Sequence, residues 1–246
     1  MTGTKGQPGE TPGPGLRTGR FGPSLPGAQG ALPGPVVLVE SYGDPADPPP
    51  LFPGEERLVA GVVAGRRAEF ATARACARAA LAQLGVEPAA ILRGGRGEPL
   101  WPAGTVGAMT HCAGYRAAAV ARAEDVVSLG LDAEPHLPMP GEGELGLVTV
   151  AEERRNLPLL SARRPDICWD RLLFSAKESV YKAWYPVTGR WLGFDEAVIT
   201  PDPGTGTFTA RLLVPGPVLS GERVTGFEGS WTVQDGLIRT AVAIGR

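Results

Sequence analysis

The feature that most constrains the fold is the order of hydrophobic patterns, which runs strand, helix, strands and does so twice after residue 36. A β-branched run at residues 36–40 predicts the first strand. Apolar residues at helical spacing then predict one or two helices over residues 55–84, with a break at Gly65. Three strand-like stretches complete the first unit, at residues 106–110, 115–122 and 126–134.

The second unit follows a Pro-, Gly- and Glu-rich loop. Helices are predicted over residues 147–160 and 168–184, with Pro186 closing the second. Strands are predicted at residues 194–200, 207–214 and 231–244, with a hairpin turn at Asp235-Gly236. The patterns indicate an α+β fold of two similar halves, each a small antiparallel sheet with helices, meeting near residues 120–135. We expect a ligand site at the interface of the halves.

Residues 1–35 differ from the rest in composition. They contain ten Gly and seven Pro, few large apolar side chains and no periodicity. Such a segment cannot bury enough apolar surface to offset the entropy of ordering. We therefore predict a disordered tail at residues 1–35, an N-terminal half at 36–125 and a C-terminal half at 126–246.

Composition excludes several classes of protein. The 24 Lys and Arg are balanced by 26 Asp and Glu, for a net charge of −2, whereas a general nucleic-acid binder needs an excess of cations. No apolar run approaches the roughly 18–20 residues of a membrane span, and the start lacks a signal-peptide pattern. Three scattered cysteines do not form a disulfide framework or a thiolate metal site. We expect a cytoplasmic monomer that binds neither nucleic acid nor membrane.

Two carboxylates lie at the end of a predicted strand, in the sequence Gly130-Leu-Asp132-Ala-Glu134. Side chains alternate across a strand, so Asp132 and Glu134 share one face while Ala133 faces the core. Close carboxylates repel unless a cation lies between them, and oxygen ligands of this kind suit Mg²⁺. Two carboxylates at a solvated strand end are the competing explanation.

A second charged group lies in residues 174–184, where Glu178 and Lys182 are i, i+4 neighbours on a predicted helix. Glu178 would add a third carboxylate to a Mg²⁺ site, with Lys177 and Lys182 beside it to neutralise a phosphate. Two structural explanations compete. Ser175-x-x-Glu178 matches a helix capping box, and Glu178 with Lys182 is also an ordinary surface ion pair.

Cations are spread over the first half, on the predicted helix, in a Gly-rich connection and at a strand end. They are Arg66, Arg67, Arg74, Arg93, Arg96 and His111. Guanidinium groups bind phosphate through paired hydrogen bonds. The competing explanations are that helical arginines are commonly solvated and that a single histidine is commonly structural.

Five sequence motifs follow one another along the chain. They are Arg66-Arg-Ala-Glu-Phe70 with Arg74-Ala-Cys-Ala-Arg78, Gly97-Glu-Pro-Leu-Trp-Pro102, Met109-Thr-His-Cys-Ala-Gly-Tyr115, Gly130-Leu-Asp-Ala-Glu134 and Phe174-Ser-Ala-Lys-Glu-Ser-Val-Tyr-Lys-Ala-Trp184. In this order they resemble the motifs of Sfp-type 4′-phosphopantetheinyl transferases, in particular the actinobacterial group serving polyketide, fatty-acid and peptide synthetases. The resemblance covers about residues 55–200. It implies a pseudo-dimer of two α+β halves, with coenzyme A and Mg²⁺ between them.

The resemblance also implies roles for individual residues. The metal ligands would be Asp132, Glu134 and Glu178. The 3′-phosphate and adenosine of coenzyme A would be held by Arg66, Arg74, Arg93 and His111, with Thr110 beside them and Arg96 as the alternative to Arg93. The residues facing the pyrophosphate would be Lys177 and Lys182.

The implied reaction is Mg²⁺-dependent transfer of 4′-phosphopantetheine from coenzyme A to a serine of an acyl or peptidyl carrier protein, releasing 3′,5′-ADP. A base must accept the serine proton. Glu178, directly or through a water on the metal, is the first candidate, and Lys182 the second. An acidic helix of the carrier is expected to meet exposed arginines around residues 154–171.

Two other functions fit part of the pattern. A Mg²⁺-dependent nuclease or phosphatase also uses paired carboxylates followed by Lys and Glu, and it predicts a basic cleft. A non-catalytic module that binds coenzyme A or a carrier protein would not need the metal carboxylates.

Overall fold

A computed structural model describes residues 16–20 and 36–246. Its strands are β1 (Leu16–Arg20), β2 (Val37–Tyr42), β3 (Leu92–Arg93), β4 (Pro99–Leu100), β5 (Thr105–Cys112), β6 (Tyr115–Arg122), β7 (Val126–Pro135), β8 (Ala197–Asp202), β9 (Thr207–Leu212), β10 (Val218–Leu219), β11 (Glu222–Arg223), β12 (Gly226–Gln234) and β13 (Leu237–Gly245). Its helices are α1 (Pro53–Leu58), α2 (Ala64–Gln83), α3 (Glu142–Val148), α4 (Ala151–Arg163) and α5 (Trp169–Thr188), with a 3₁₀ turn at Phe194–Glu196.

Most of the described strands belong to two antiparallel sheets. The first has the strand order β1-β2-β6-β5, and the second has the order β7-β13-β12-β9-β8. The remaining strands form the two-stranded ribbons β3-β4 and β10-β11. Strands β12 and β13 are joined through Asp235 and Gly236, which both have positive φ as a tight hairpin turn requires. The predicted hairpin is therefore confirmed.

The layers stack in the order helix, sheet, sheet, helix. Residues of β6 point alternately to two cores, because Ala118 and Val120 pack with α2 whereas Ala117 and Ala119 face the second sheet. Helix α5 covers the other side of the second sheet, where Trp184 is fully buried. The predicted α+β class, with antiparallel sheets and helices, is confirmed.

Helix boundaries differ from the prediction at several points. The first break lies between α1 and α2, where Gly61 has a φ of +76°, and Gly65 lies inside α2. The helix predicted over residues 147–160 is divided into α3 and α4. Helix α5 continues through Pro186 to Thr188 and is capped by Gly189, which adopts a left-handed φ of 64°. Pro186 lies in the last turn, where its missing N–H removes a single helical hydrogen bond.

The first described segment also differs from expectation. Leu16–Arg20 pair antiparallel with β2, although a disordered tail was predicted over residues 1–35. The other residues of that predicted tail lie outside the described part of the chain. Within residues 16–20 and 36–246, no helix has the length and apolar character that crossing a membrane requires.

Candidate active site

The close packing of β7 against α5 brings charged side chains together. A Cβ atom placed on Gly130 would lie 1.8 Å from the backbone oxygen of Ser179, so only glycine allows this approach. Two residues earlier on the strand, Ser128 Oγ donates to the backbone oxygen of Ala183 at 2.8 Å. Farther along the same strand, the carboxylates of Asp132 and Glu134 meet side chains of α5, as the alternation along the strand predicts.

Asp132 is buried and is held from three directions. On α5, Lys182 Nζ donates to its Oδ1 at 2.7 Å and Ser175 Oγ donates to its Oδ2 at 2.8 Å. From the first sheet, Thr110 Oγ1 donates to Oδ1 at 3.4 Å while accepting from the backbone N–H of Ala133 at 3.1 Å. The carboxylate is therefore fixed where both sheets and α5 meet.

The other two predicted carboxylates, Glu134 and Glu178, lie close enough to Asp132 for its charge to act on them. Arg171 Nη1 donates to Glu134 Oε2 at 3.1 Å. Burial raises the pKa of Glu134, and the charge of Asp132 raises it further, against the opposing effect of Arg171. Burial likewise raises the pKa of Glu178, where Lys182 opposes and Asp132 adds to the shift. The site thus holds more negative charge than its surroundings stabilise.

Both structural explanations for Glu178 are wrong. Helix α5 begins at Trp169, so Ser175 and Glu178 lie in its interior and cannot form a capping box. Lys182 forms its ion pair with Asp132 rather than with Glu178. Among the residues that the structure describes, none forms a hydrogen bond or ion pair with the Glu178 carboxylate.

Lys177 does not join this group. Its buried Nζ forms an ion pair with Glu153 at 2.8 Å and donates to the backbone oxygens of Phe194 and Ala197 at 2.5 and 3.0 Å. Burial lowers the pKa of Lys177, and Glu153 opposes that shift. Consecutive helical residues point about 100° apart, so Lys177 and Glu178 meet different surroundings. The prediction that Lys177 faces a phosphate is corrected, because the structure gives this lysine a structural role.

A second candidate group lies on α2 and is centred on Arg74. This arginine is 6% exposed, and its guanidinium carbon lies 3.7 Å from the ring centre of Phe70. Its buried Nε has no hydrogen-bond partner in the described part of the chain. The guanidinium of Arg93 lies over the same ring at 5.2 Å. Burial, with a smaller effect of the Arg93 charge, lowers the pKa of Arg74 to about 10.

His111 and Arg66 extend the Arg74 group. Arg66 Nη1 lies 3.3 Å from His111 Nδ1 and donates to Glu69 Oε2 at 2.7 Å. Glu69 is held in turn by the buried Arg116 at 3.2 Å. Burial, and secondarily Arg66, lowers the pKa of His111 to about 4, so the imidazole is neutral at pH 7. Four of the cations predicted from the first half, Arg66, Arg74, Arg93 and His111, therefore gather in one region.

Two further predicted residues are separated from this region. Thr110 precedes His111 on β5, but consecutive strand residues point to opposite faces, and its hydroxyl contacts Asp132. The prediction that Thr110 stands beside the nucleotide cations is therefore corrected. Arg96 is exposed, and its charge acts on the phenol of Tyr181, whereas the charge of Arg93 acts on Arg74.

Sequence reasoning missed several partners of the predicted residues. Arg171 and Ser175 lie seven and three residues before Glu178, a spacing that places all three on one helix face. That spacing was a usable signal. Thr240 is the cross-strand neighbour of Asp132, and Glu153 binds Lys177 from α4. Those contacts depend on strand pairing and helix packing, which spacing along one element does not reveal.

Two family models match the chain. A model described as the 4'-phosphopantetheinyl transferase N-terminal domain matches residues 54–121. A model described as the 4'-phosphopantetheinyl transferase superfamily matches residues 128–226. Together with the relatives described next, these matches show that the chain belongs to the 4'-phosphopantetheinyl transferase family.

Curated relatives resemble the chain over most of its length. It is 57% identical to 4'-phosphopantetheinyl transferase Svp of Streptomyces mobaraensis, over 87% of each chain. It is 49% identical to 4'-phosphopantetheinyl transferase PptT of Mycobacterium tuberculosis, over 85% of this chain and 92% of the relative. It is 50% identical to 4'-phosphopantetheinyl transferase Npt of Nocardia iowensis, over 78% and 88%.

The protein is accordingly an enzyme that transfers the phosphopantetheine group from coenzyme A to carrier proteins. Neither a nuclease nor a module without catalysis describes it.

Proposed function

We propose that coenzyme A lies at the interface of the two halves, with its nucleotide at the Arg74 group and its pyrophosphate where β7 packs on α5. In this arrangement the molecule is a pseudo-dimer of two similar halves with the active site at their interface. The contact between Thr110 and Asp132 supports it, because this contact joins an edge strand of each sheet beside both groups of charges.

A repeated arrangement of buried charges supports the similarity of the halves. In each half, a buried glutamate is the third residue of a helix. It accepts the N–H of the residue that precedes this helix and a second N–H at or next to a strand, and it pairs with a cation on the following helix. These are Glu55 with Phe52, Ile91 and Arg78, and Glu153 with Val150, Ile199 and Lys177. We infer that α1 and α2 correspond to α4 and α5.

The observation that carries the nucleotide placement is the buried guanidinium of Arg74, whose Nε has no partner among the described residues. A buried cation without a counter-ion is costly, and a bound anion removes that cost. The 3′-phosphate of coenzyme A is an anion that a guanidinium binds well. Arg93 shares the Phe70 ring with Arg74, so we assign this role to Arg93 rather than to Arg96.

Replacing Arg74 by Met should lower kcat/KM for coenzyme A by about 10- to 100-fold, the loss expected for charge-assisted hydrogen bonds. The same change should alter kcat/KM for dephospho-coenzyme A less than threefold, because this substrate lacks the 3′-phosphate. Steady-state kinetics with both substrates measure the difference.

Arg67→Met is the matched control for this experiment. Arg67 lies on the same helix but is 43% exposed and paired with Glu56. Its replacement should leave both substrates unaffected. Equal losses for the two substrates in Arg74→Met would remove Arg74 from the 3′-phosphate site.

We place Mg²⁺ at Asp132, Glu134 and Glu178. Their fit to a cation rests on the raised pKa values of Glu134 and Glu178, to which the Asp132 charge contributes. Among the described residues no cluster of three ligands is already arranged for a metal. An incomplete set of carboxylates suits Mg²⁺, because this ion usually takes one or two carboxylates together with substrate phosphates. Bound there, the ion would neutralise charge on the phosphoryl oxygens.

We assign the proton transfer to Glu178. The serine oxygen of the carrier forms a bond to the β-phosphorus, the bond from that phosphorus to the bridging oxygen breaks, and 3′,5′-ADP leaves. Glu178 accepts the serine proton, for which its carboxylate, unpaired within the described residues, is suited. Lys182 orients Asp132 and contributes positive charge near the pyrophosphate.

We place the carrier protein against an exposed stripe on α4. Arg155, Leu159 and Arg163 are all exposed and lie four residues apart, along one side of the helix. Two other arginines near this predicted surface are engaged within the protein, since Arg154 donates to Thr149 and Arg171 to Glu134. The stripe offers positive charge and an apolar contact to an acidic helix.

Reversing both charges, in Arg155→Glu with Arg163→Glu, should raise KM for the carrier protein by about tenfold, because like charges then face each other. KM for coenzyme A should stay at its original value. Arg57→Glu, at an exposed position on α1, is the control and should change neither constant. An unchanged carrier KM at low salt would refute this docking surface.

A further inference from the structure

The Asp132 carboxylate is attached to a chain of hydroxyl groups that the transfer chemistry does not itself use. Ser175 Oγ lies 2.8 Å from Asp132 Oδ2 and 2.9 Å from Thr240 Oγ1. Thr240 Oγ1 also donates to the backbone oxygen of Ser175 at 2.8 Å. Ser175 and Thr240 are completely buried. The chain therefore connects β13, α5 and β7 without contact with solvent.

The directions of these hydrogen bonds follow from the acceptor at the end. The Asp132 carboxylate is paired with Lys182 and can only accept, so Ser175 must give it its single hydroxyl proton. Ser175 has no second proton, so its contact with Thr240 relies on the single hydroxyl proton of Thr240, which is shared between Ser175 Oγ and the backbone oxygen of Ser175. Ser175 therefore donates to Asp132, while Thr240 holds both the hydroxyl and the backbone oxygen of Ser175.

The two oxygens of Asp132 are thereby held separately. Lys182 and Thr110 reach Oδ1, whereas within the described part of the chain Ser175 alone holds Oδ2. Without Ser175, the carboxylate could rotate about its last bond and turn both oxygens to Lys182. Terminal bonds of this kind have broad rotational wells, so packing does not fix the carboxylate plane by itself.

We infer that Ser175 is a positioning residue that presets the Asp132 carboxylate for a divalent cation, and that Thr240 supports Ser175 in this role. The inference rests on the proposed metal site. Residues that hold a metal ligand through a hydrogen bond commonly contribute 10- to 100-fold to metal affinity. Ser175 and Thr240 need no contact with the metal or with coenzyme A to act in this way.

The chain contains a matched control for Ser175. Ser179 lies one turn farther along α5, is equally buried, and donates to the backbone oxygen of Ala176 within its own helix. Its hydroxyl does not contact Asp132. Ser175→Ala and Ser179→Ala therefore remove the same buried group from the same helix, and only one of them affects the carboxylate.

The test measures Mn²⁺ binding by electron paramagnetic resonance, with full-length protein and saturating coenzyme A. Ser175→Ala should weaken Mn²⁺ binding by about 10- to 100-fold, and Ser179→Ala by less than twofold. Thr240→Val should weaken binding by a smaller factor than Ser175→Ala, and Thr240→Ser should restore it. A merely structural role would lower the melting temperature of both serine variants and leave Mn²⁺ affinity unchanged.

The outcomes distinguish a failure of the proposed metal site from a failure of the positioning role of Ser175. If the unmodified enzyme binds no Mn²⁺, the proposed metal site fails. If it binds Mn²⁺ and Ser175→Ala binds it equally well, the metal site stands and the positioning role is overturned. Should Ser175→Ala not fold, Thr240→Val decides in its place: a weakened affinity that Thr240→Ser restores supports the inference, and an unchanged affinity overturns it.

Discussion

Asp132→Asn should reduce phosphopantetheine transfer by about 10³-fold, the scale seen when a preorganised electrostatic partner is removed from an active site. The substitution keeps the size of the side chain and one oxygen, which can still accept from either Ser175 or Lys182, so the protein should fold. It removes the charge that Lys182 pairs with, and the melting temperature should fall slightly. Transfer to a carrier protein, followed by mass spectrometry, and thermal melting measure the two effects.

Glu178→Gln should be equally inactive but more stable than the original enzyme. Burial raises the pKa of Glu178 above that of an unfolded chain, so the folded protein favours the protonated carboxyl. This preference stabilises the fold at pH values below the pKa of the carboxyl in the unfolded chain, which is near 4. The stabilisation is lost as the pH rises through the higher pKa of the carboxyl in the folded protein. The gain in melting temperature on removing the charge should therefore be present at pH 7 and absent near pH 4.

The opposite stability changes make the pair of variants informative. A Glu178→Gln enzyme that retains its transfer rate would show that Glu178 is neither the base nor a metal ligand. A Glu178→Gln enzyme that melts lower at pH 7 would mean that its carboxylate has a stabilising partner.

Lys177→Met should lower the free energy of unfolding by about 3–5 kcal/mol, because it leaves the buried carboxylate of Glu153 without its cation. Well below the melting temperature, KM for coenzyme A should remain within twofold of the original value, since Lys177 does not reach the Asp132 group. Urea unfolding and steady-state kinetics provide the two measurements.

A double variant controls for the loss of charge. Lys177→Met combined with Glu153→Leu removes both buried charges, and it should recover much of the lost stability. A Lys177→Met enzyme that is fully stable but has a greatly raised KM for coenzyme A would return Lys177 to the phosphate site.

Much of the secondary structure was predictable because strand and helix periods differ. Strands β5, β6 and β7 and the turn at Asp235-Gly236 were predicted correctly, because side-chain alternation and residues that favour positive φ are local signals. Local signals failed at Gly65 and Pro186. Glycine is tolerated in the first turn of a helix, and proline in its last turn, so neither residue is a reliable end point there.

The candidate site was predictable only in part. The positions of Asp132 and Glu134 followed from strand alternation, and the helical face of Glu178 and Lys182 followed from their spacing. Lys177 was misplaced because both sides of α5 are buried, so a lysine next to Glu178 could belong to either. Thr110 was misplaced because the resemblance grouped it with His111, whereas consecutive residues of β5 face opposite ways and the Thr110 hydroxyl meets β7.

The division of strands between the two sheets has a consequence for building the enzyme from parts. Every described strand of the first sheet precedes residue 123, and every strand of the second follows residue 125, so no backbone ladder crosses the turn between them. A chain interrupted at this turn would keep both ladders and would depend on the shared apolar core and the Thr110–Asp132 contact for reassembly. Because Asp132 is held from both fragments, fragment complementation would report their reassociation as transferase activity.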